Sequence, residues 1–142
     1  MAIPASDLIP IPKSSRDATE LAPLLCGGGT ALGGVRSANV KLGEWLCISG
    51  AAGGVGGLAV RYGKYLGYRV IAIDSKVKES HCKELGADVF VNYEEEDLLV
   101  KRIQEATNGG VQGTVVCSAS PVSYLFVSPP NFILTKLYSL AH

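Results

Sequence analysis

Three glycines spaced three apart, Gly50, Gly53 and Gly56, with Gly54 as an extra beside the middle one, precede an acid, Asp74. The separation is close to the roughly 20 residues expected between a phosphate-binding turn and a ribose-binding carboxylate. Backbone reaches a phosphate only where no Cβ stands in the way, and an anion is favoured at a helix N-terminus, where free N–H groups and the helix dipole converge. The chemistry implied is the cradling of a pyrophosphate along Gly50, Ala51, Ala52, Gly53, Gly54, Val55 and Gly56. In this reading Gly50 closes the turn, Gly53 admits the pyrophosphate and Gly56 lets the next helix pack closely on a sheet. Asp74 would accept hydrogen bonds from both hydroxyls of an adenosine ribose and repel a 2′-phosphate, which selects NAD(H) over NADP(H). The pattern is G-x-x-G-x-x-G, not the strict G-x-G-x-x-G, so its weight rests on the strands that flank it.

Other reactive side chains carry less. Cys26, Cys47, Cys82 and Cys117 are widely spaced and form no C-x-x-C pair. Cys47 and Cys117 fall in expected strands, where a free thiol behaves as a small buried hydrophobe. His81 and Cys82 are adjacent, but neighbours on a helix point about 100° apart, which argues against a shared metal. Glu94, Glu95, Glu96 and Asp97 sit where acid complements a helix N-terminus, and read as a solvated cap.

The elements that must position the turn and the acid alternate along the chain. Residues 22–40 read as a helix strained by Gly27-Gly28-Gly29. Strands are expected at 45–49, 69–73, 88–92 and 113–118, and helices from about 54 to 66, at 78–85 and at 95–107. Gly86 is the expected C′ residue of the second of these, and Asn108-Gly109-Gly110 the stop of the third. Strand 69–73 is apolar between its ends, as a strand buried on both faces should be. This order predicts an α/β fold, a doubly wound parallel sheet of the Rossmann type, incomplete at about four strands. Residues 1–20 read as an extended lead-in, 21–120 as the partial dinucleotide-binding domain and 121–142 as an atypical apolar tail. In that tail Lys136 is the only formally charged residue and Pro121, Pro129 and Pro130 interrupt regular structure. Residues 122–127 read as a short strand, and 132–140 as a short helix. An accidental fifth strand from the tail is the alternative.

The 142 residues are one domain's worth of protein, with 47% apolar and 18% charged side chains and no net charge. That balance is globular and gives no basis for binding nucleic acid or an anionic membrane. The N-terminus lacks the basic and apolar regions of a signal peptide, and no stretch is long and apolar enough to span a bilayer, so a cytoplasmic protein is expected.

Residues 22–120 resemble the cofactor domain of zinc-dependent medium-chain alcohol dehydrogenases of the yeast and fungal type. The resemblance rests on Ala22-Pro23-Leu24-Leu25-Cys26-Gly27, on Ser37-Ala38-Asn39 and on Ile48 through Gly56. It continues through Tyr68-Arg69-Val70-Ile71-Ala72-Ile73-Asp74 and Ala106-Thr107-Asn108-Gly109-Gly110. It implies that Cys26 corresponds to a zinc ligand, that Thr30 lies near the nicotinamide, and that Lys78 supports Asp74 at the ribose. In such enzymes zinc acts as a Lewis acid that lowers the alcohol's pKa before hydride passes to NAD. A catalytic zinc needs three protein ligands, and here the resemblance supplies one cysteine; the histidines are His81 and His142 alone. The chain is therefore expected to be inactive alone as an alcohol dehydrogenase and to bind a dinucleotide weakly, from its adenosine side. Two alternatives stand beside this. One is a nucleotide-binding regulatory module that forms a homo-oligomer or pairs with another subunit through an exposed sheet edge. The other is a zinc-independent, NADPH-using reductase of the quinone oxidoreductase kind, for which Lys76 and Lys78 would supply the positive charge.

Overall fold

The computed structural model describes residues 17–118 and Leu137–Ser139, with a few isolated positions ahead of Asp17. Its centre is a parallel sheet in the order β3-β2-β1-β4-β5, formed by β1 (Trp45–Ser49), β2 (Arg69–Asp74), β3 (Val89–Asn92), β4 (Gly113–Val116) and β5 (Leu137–Ser139). β1 lies between β2 and β4, with Cys47 level with Ile71 on one side and Thr114 on the other. The chain leaves β1 towards β2 and later returns to its opposite side as β4. That reversal of direction opens a crevice at the C-terminal ends of the strands.

Both faces of the sheet are covered, so its strands read as continuous apolar runs. On one face Leu46, Ile48, Val70 and Ala72 pack against α2 (Gly29–Ser37), α3 (Gly54–Tyr65) and α4 (Glu79–Glu84). On the other, Trp45, Cys47, Ile71 and Ile73 pack against Leu99 and Ile103 of α5 (Glu96–Thr107). α5 ends where Asn108 adopts the left-handed conformation (φ 54°), and the Thr107 hydroxyl accepts from the Gly110 N–H at 2.8 Å. α4 ends as expected, with Gly86 at φ +107°.

The first helical stretch differs in detail from the expectation. α1 (Ala18–Pro23) begins four residues ahead of Ala22 because the Asp17 carboxylate accepts from the Thr19 N–H and caps it. The glycine run does not break the path. It widens into a π-helical turn, Leu24–Gly28, that passes directly into α2.

In the tail, the expected helix over residues 132–140 is overturned at Leu137–Ser139. These pair in parallel with Thr114, Val115 and Val116 of β4. The free edge of β4 presents unpaired backbone N–H and C=O groups, and a short apolar stretch satisfies them better as a strand than as an isolated helix of this length. The strand expected at 122–127 lies outside the described residues.

Candidate functional site

The site is built where β1 ends. The N–H groups of Gly50 and Ala51 both donate to the Ile73 carbonyl, at 3.0 and 3.3 Å, which ties the turn to β2. Gly50 has φ +66°, and a Cβ there would come within 3.1 Å of the Cys117 carbonyl carbon and the Ser118 nitrogen. Gly56 is required for a different reason. A Cβ on it would overlap the Gly50 carbonyl oxygen and lie 2.9 Å from Ala51 Cα, so α3 can enter this close to the turn only without one. Gly53 is extended (φ −74°, ψ 170°) at the N-cap position and contributes no side-chain hydrogen bond to the first turn. The leading N–H groups of α3 are therefore available to an anion.

Asp74, the last residue of β2, is 8% exposed. Its Oδ2 accepts from the Ala52 N–H at 2.9 Å, and its Oδ1 from the Ser75 N–H at 2.8 Å. The spacing argument brings the acid to the turn but does not show this bond: the carboxylate holds the backbone of the turn itself. The Ser75 hydroxyl also donates to Oδ1, at a longer 3.4 Å, so of a carboxylate's roughly four acceptor sites about one remains open and a second is held only by that long bond. Beyond Asp74, a 3₁₀ turn (Lys76–Lys78) leads into α4. Glu79 there binds Lys76 Nζ through Oε2 at 2.5 Å and Lys83 Nζ through Oε1 at 2.7 Å. Hydrogen bonds from these two lysines hold its carboxyl down at about 2. This cluster was not foreseen; a Lys-x-x-Glu-x-x-x-Lys spacing on helical backbone is the signal that could have found it.

The other expected residues are placed as follows. Lys78 is exposed at the end of the 3₁₀ turn, close enough to buried Cys82 to influence its thiol. Burial pushes that thiol up to about 11, and the Asp74 charge adds to the effect while Lys78 opposes it, so the three side chains form one neighbourhood. Thr30 is exposed in the first turn of α2. Cys26 is exposed in the π-helical turn, and the next residue, Gly27, faces Leu58 and Val55 of α3. The π-helical turn and the phosphate-type turn thus lie side by side. Zinc is not accommodated by what is described: among the described residues no three His, Cys, Asp or Glu side chains group to hold a metal ion, and Cys26 meets no companions. The glycine turn, by contrast, fits a dinucleotide: no side chain caps the first turn of α3, and a Cβ on Gly54 would meet nothing within 4 Å, so the start of the helix is open.

An open, doubly wound parallel sheet with a glycine turn after β1 and an acid closing β2 defines a Rossmann-like domain of the oxidoreductase type. The profile described as zinc-binding dehydrogenase matches residues 54–125, half of the chain, and the chain belongs to that family. It is 44% identical over 104 residues to an alcohol dehydrogenase of Schizosaccharomyces pombe, which covers 72% of this chain and 30% of that protein. Among solved structures, it resembles a quinone oxidoreductase of Pseudomonas syringae pv. tomato (35% identity, TM-score 0.66, 76% of this chain and 33% of the other). It also resembles a thermostable alcohol dehydrogenase of Pyrobaculum aerophilum (29% identity, TM-score 0.64, 80% and 32%). The chain thus spans about a third of the length of these relatives. No helix among the described residues is long and apolar enough to cross a membrane.

Proposed function

We propose that this chain is the NAD(H)-binding portion of an alcohol dehydrogenase of the zinc-binding family, without dehydrogenase activity when alone. The observation that supports it most is the position of Asp74. It is almost buried, it closes β2, and its carboxylate lies 2.9 Å from the Ala52 N–H, so acid and anion cradle share one wall. In this reading the N–H groups at the start of α3 take the pyrophosphate, and Gly50 and Gly56 keep the backbone close to it. Asp74 takes the ribose hydroxyls, one at its open acceptor site and one in place of the long bond from the Ser75 hydroxyl; Lys78 supports that contact, and Thr30 lies towards the nicotinamide. A bound NAD would supply the hydride acceptor for an alcohol. No catalytic step is assigned to zinc, because a catalytic zinc needs three protein ligands and among the described residues no three His, Cys, Asp or Glu side chains group to hold one.

A second reading, an NADPH-using reductase of the quinone oxidoreductase kind, draws on the Pseudomonas structure and on Lys76 and Lys78. The retained Asp74 weighs against it, as does the ion pair that already occupies Lys76.

The test is a fluorescence titration of the purified chain with NADH and NADPH, repeated on Asp74→Ala. Saturable NADH binding, weaker for NADPH and lost in the variant, is expected. Absence of binding at millimolar NADH overturns the proposal. Steady oxidation of ethanol by the zinc-supplemented chain with NAD would overturn its inactivity.

A further inference from the structure

We infer that Glu79 is a specificity-determining residue that keeps NADPH out of this site by binding the lysine that would otherwise receive the 2′-phosphate. The inference rests on the dinucleotide reading above and goes beyond it, since exclusion of the 2′-phosphate there is attributed to Asp74 alone.

A group that reads the 2′ position of the adenosine ribose must sit just beyond the C-terminal end of β2. The chain places two lysines there, Lys76 and Lys78, two and four residues after the acid. Two cations in that stretch would ordinarily favour a phosphate. The geometry around Glu79 offsets this. Its two oxygens are divided between two ammonium groups, Lys76 at 2.5 Å and Lys83 at 2.7 Å, so both partners are engaged at once. Glu79 therefore acts through Lys76: it holds that ammonium in an ion pair and so removes it from the free cations just beyond β2. The hydrogen bonds from the lysines hold the carboxyl far below neutrality, so the charge is present wherever the protein is handled. Lys78 makes no ion pair among the described residues and remains for the ribose.

The size of the effect follows from exposure. Lys76 and Lys83 are more than half exposed, and exposed pairs are worth little and are screened by salt. Freeing Lys76 should therefore tighten NADPH by about 2- to 5-fold and not by orders of magnitude. Glu79 touches no part of the glycine turn in the hydrogen bonds described, so NADH affinity should stay as it is.

The experiment is a titration of the full chain and of Glu79→Gln with NADH and NADPH at low and at 0.5 M salt (roughly a 4 Å screening length), with Lys76→Ala/Glu79→Gln as the control. Expected are a gain of about 2- to 5-fold for NADPH in Glu79→Gln, no change for NADH, loss of the gain at high salt and its disappearance in the double variant. If NADH binds normally but Glu79→Gln leaves the NADPH:NADH ratio unchanged at low salt, the inference is overturned. It is equally overturned if the gain survives removal of Lys76. Failure of the unaltered chain to bind NADH is a different result: it removes the dinucleotide reading and this inference with it.

Discussion

At the scale of single residues, two glycines of the turn face different surroundings. Gly56 has the Gly50 carbonyl where its Cβ would go, whereas a Cβ on Gly54 would meet nothing within 4 Å. Gly56→Ala is therefore expected to destabilise the chain by about 1–3 kcal/mol, since backbone must shift to admit one methyl. Gly54→Ala should fall within about 1 kcal/mol of the unaltered chain, on the stabilising side, because alanine loses less entropy in a helix. Urea unfolding of the two variants tests the contrast, and similar losses in both would contradict this account of the turn. Sequence spacing brought the glycines and Asp74 to one turn, where the structure joins them. It also separated Gly56, read as the residue that lets the helix pack closely, from Gly54, read as an extra, but it did not show that the Gly50 carbonyl is the group in the way, since that depends on how the helix axis meets the strand. Nor did it show the Ala52–Asp74 bond, which joins residues 22 apart. Cys47 supplies a second prediction. Burial pushes its thiol up to about 12. A folded value above the unfolded one, about 8.5, means that the stability tied to the neutral thiol is complete below pH 8.5 and is lost as pH rises towards 12. Cys47→Ala lacks that loss. Its melting temperature should therefore decline less steeply than the unaltered chain's between pH 8 and pH 11, roughly the window set by those two values. Parallel pH profiles would show that the thiol is not the titrating group.

At the scale of elements, period and punctuation were enough for the strands and for the helices that carry an apolar stripe. β1 was read with its observed limits, because five consecutive apolar or small residues between polar flanks leave little choice. The 3₁₀ turn ahead of α4 was not read, since a helical period does not distinguish a tighter turn from a full one. A fifth strand from the tail stood as the alternative and is what forms, but its three residues were not located, because what makes them a strand is the edge of β4 and not their own pattern. Among the described helices α5 covers the sheet face opposite α2, α3 and α4, so its buried side chains should matter more than its length suggests. Ile103 is 1% exposed, and Ile103→Ala should cost about 2–5 kcal/mol in urea unfolding. A cost below about 0.5 kcal/mol, typical of surface sites, would mean that α5 does not pack as described. The short helix α4 is expected to respond to acid. Its Glu79 carboxyl is depressed to about 2, so the contribution of its ion pairs is present above the unfolded value of about 4.3 and disappears as pH falls towards 2. Amide protection across Lys76–Lys78 and α4, corrected for intrinsic exchange, should fall over that interval before protection of β1 does. Glu79→Gln should remove this early step.

At the scale of the whole molecule, a chain that spans about a third of the length of its relatives must close its own core before the turn after β1 can bind anything. Sequence reading reached the parallel, doubly wound sheet, because alternating strands and helices with right-handed crossovers leave only a few arrangements; which strand lies beside which, β3-β2-β1-β4, is set by long-range packing. What covers the β4 side of the sheet depends on long-range pairing, which no local pattern encodes. The prediction at this scale follows from linkage. A ligand that binds only the folded chain adds stability as the logarithm of its saturation, about 2.7 kcal/mol at 100 times its dissociation constant. For a chain of this size that is a rise in Tm of roughly 5–15 °C. NADH at that concentration should give such a rise, NADPH at the same concentration a smaller one, and Asp74→Ala none. The same scan distinguishes two ways of failing. A sharp transition that NADH does not move would mean that the sheet folds and the cradle is unused. A broad transition without a clear midpoint, with or without NADH, would mean that the covered apolar faces do not form a cooperative core in isolation, and that the glycine turn needs the rest of a dehydrogenase to hold its shape.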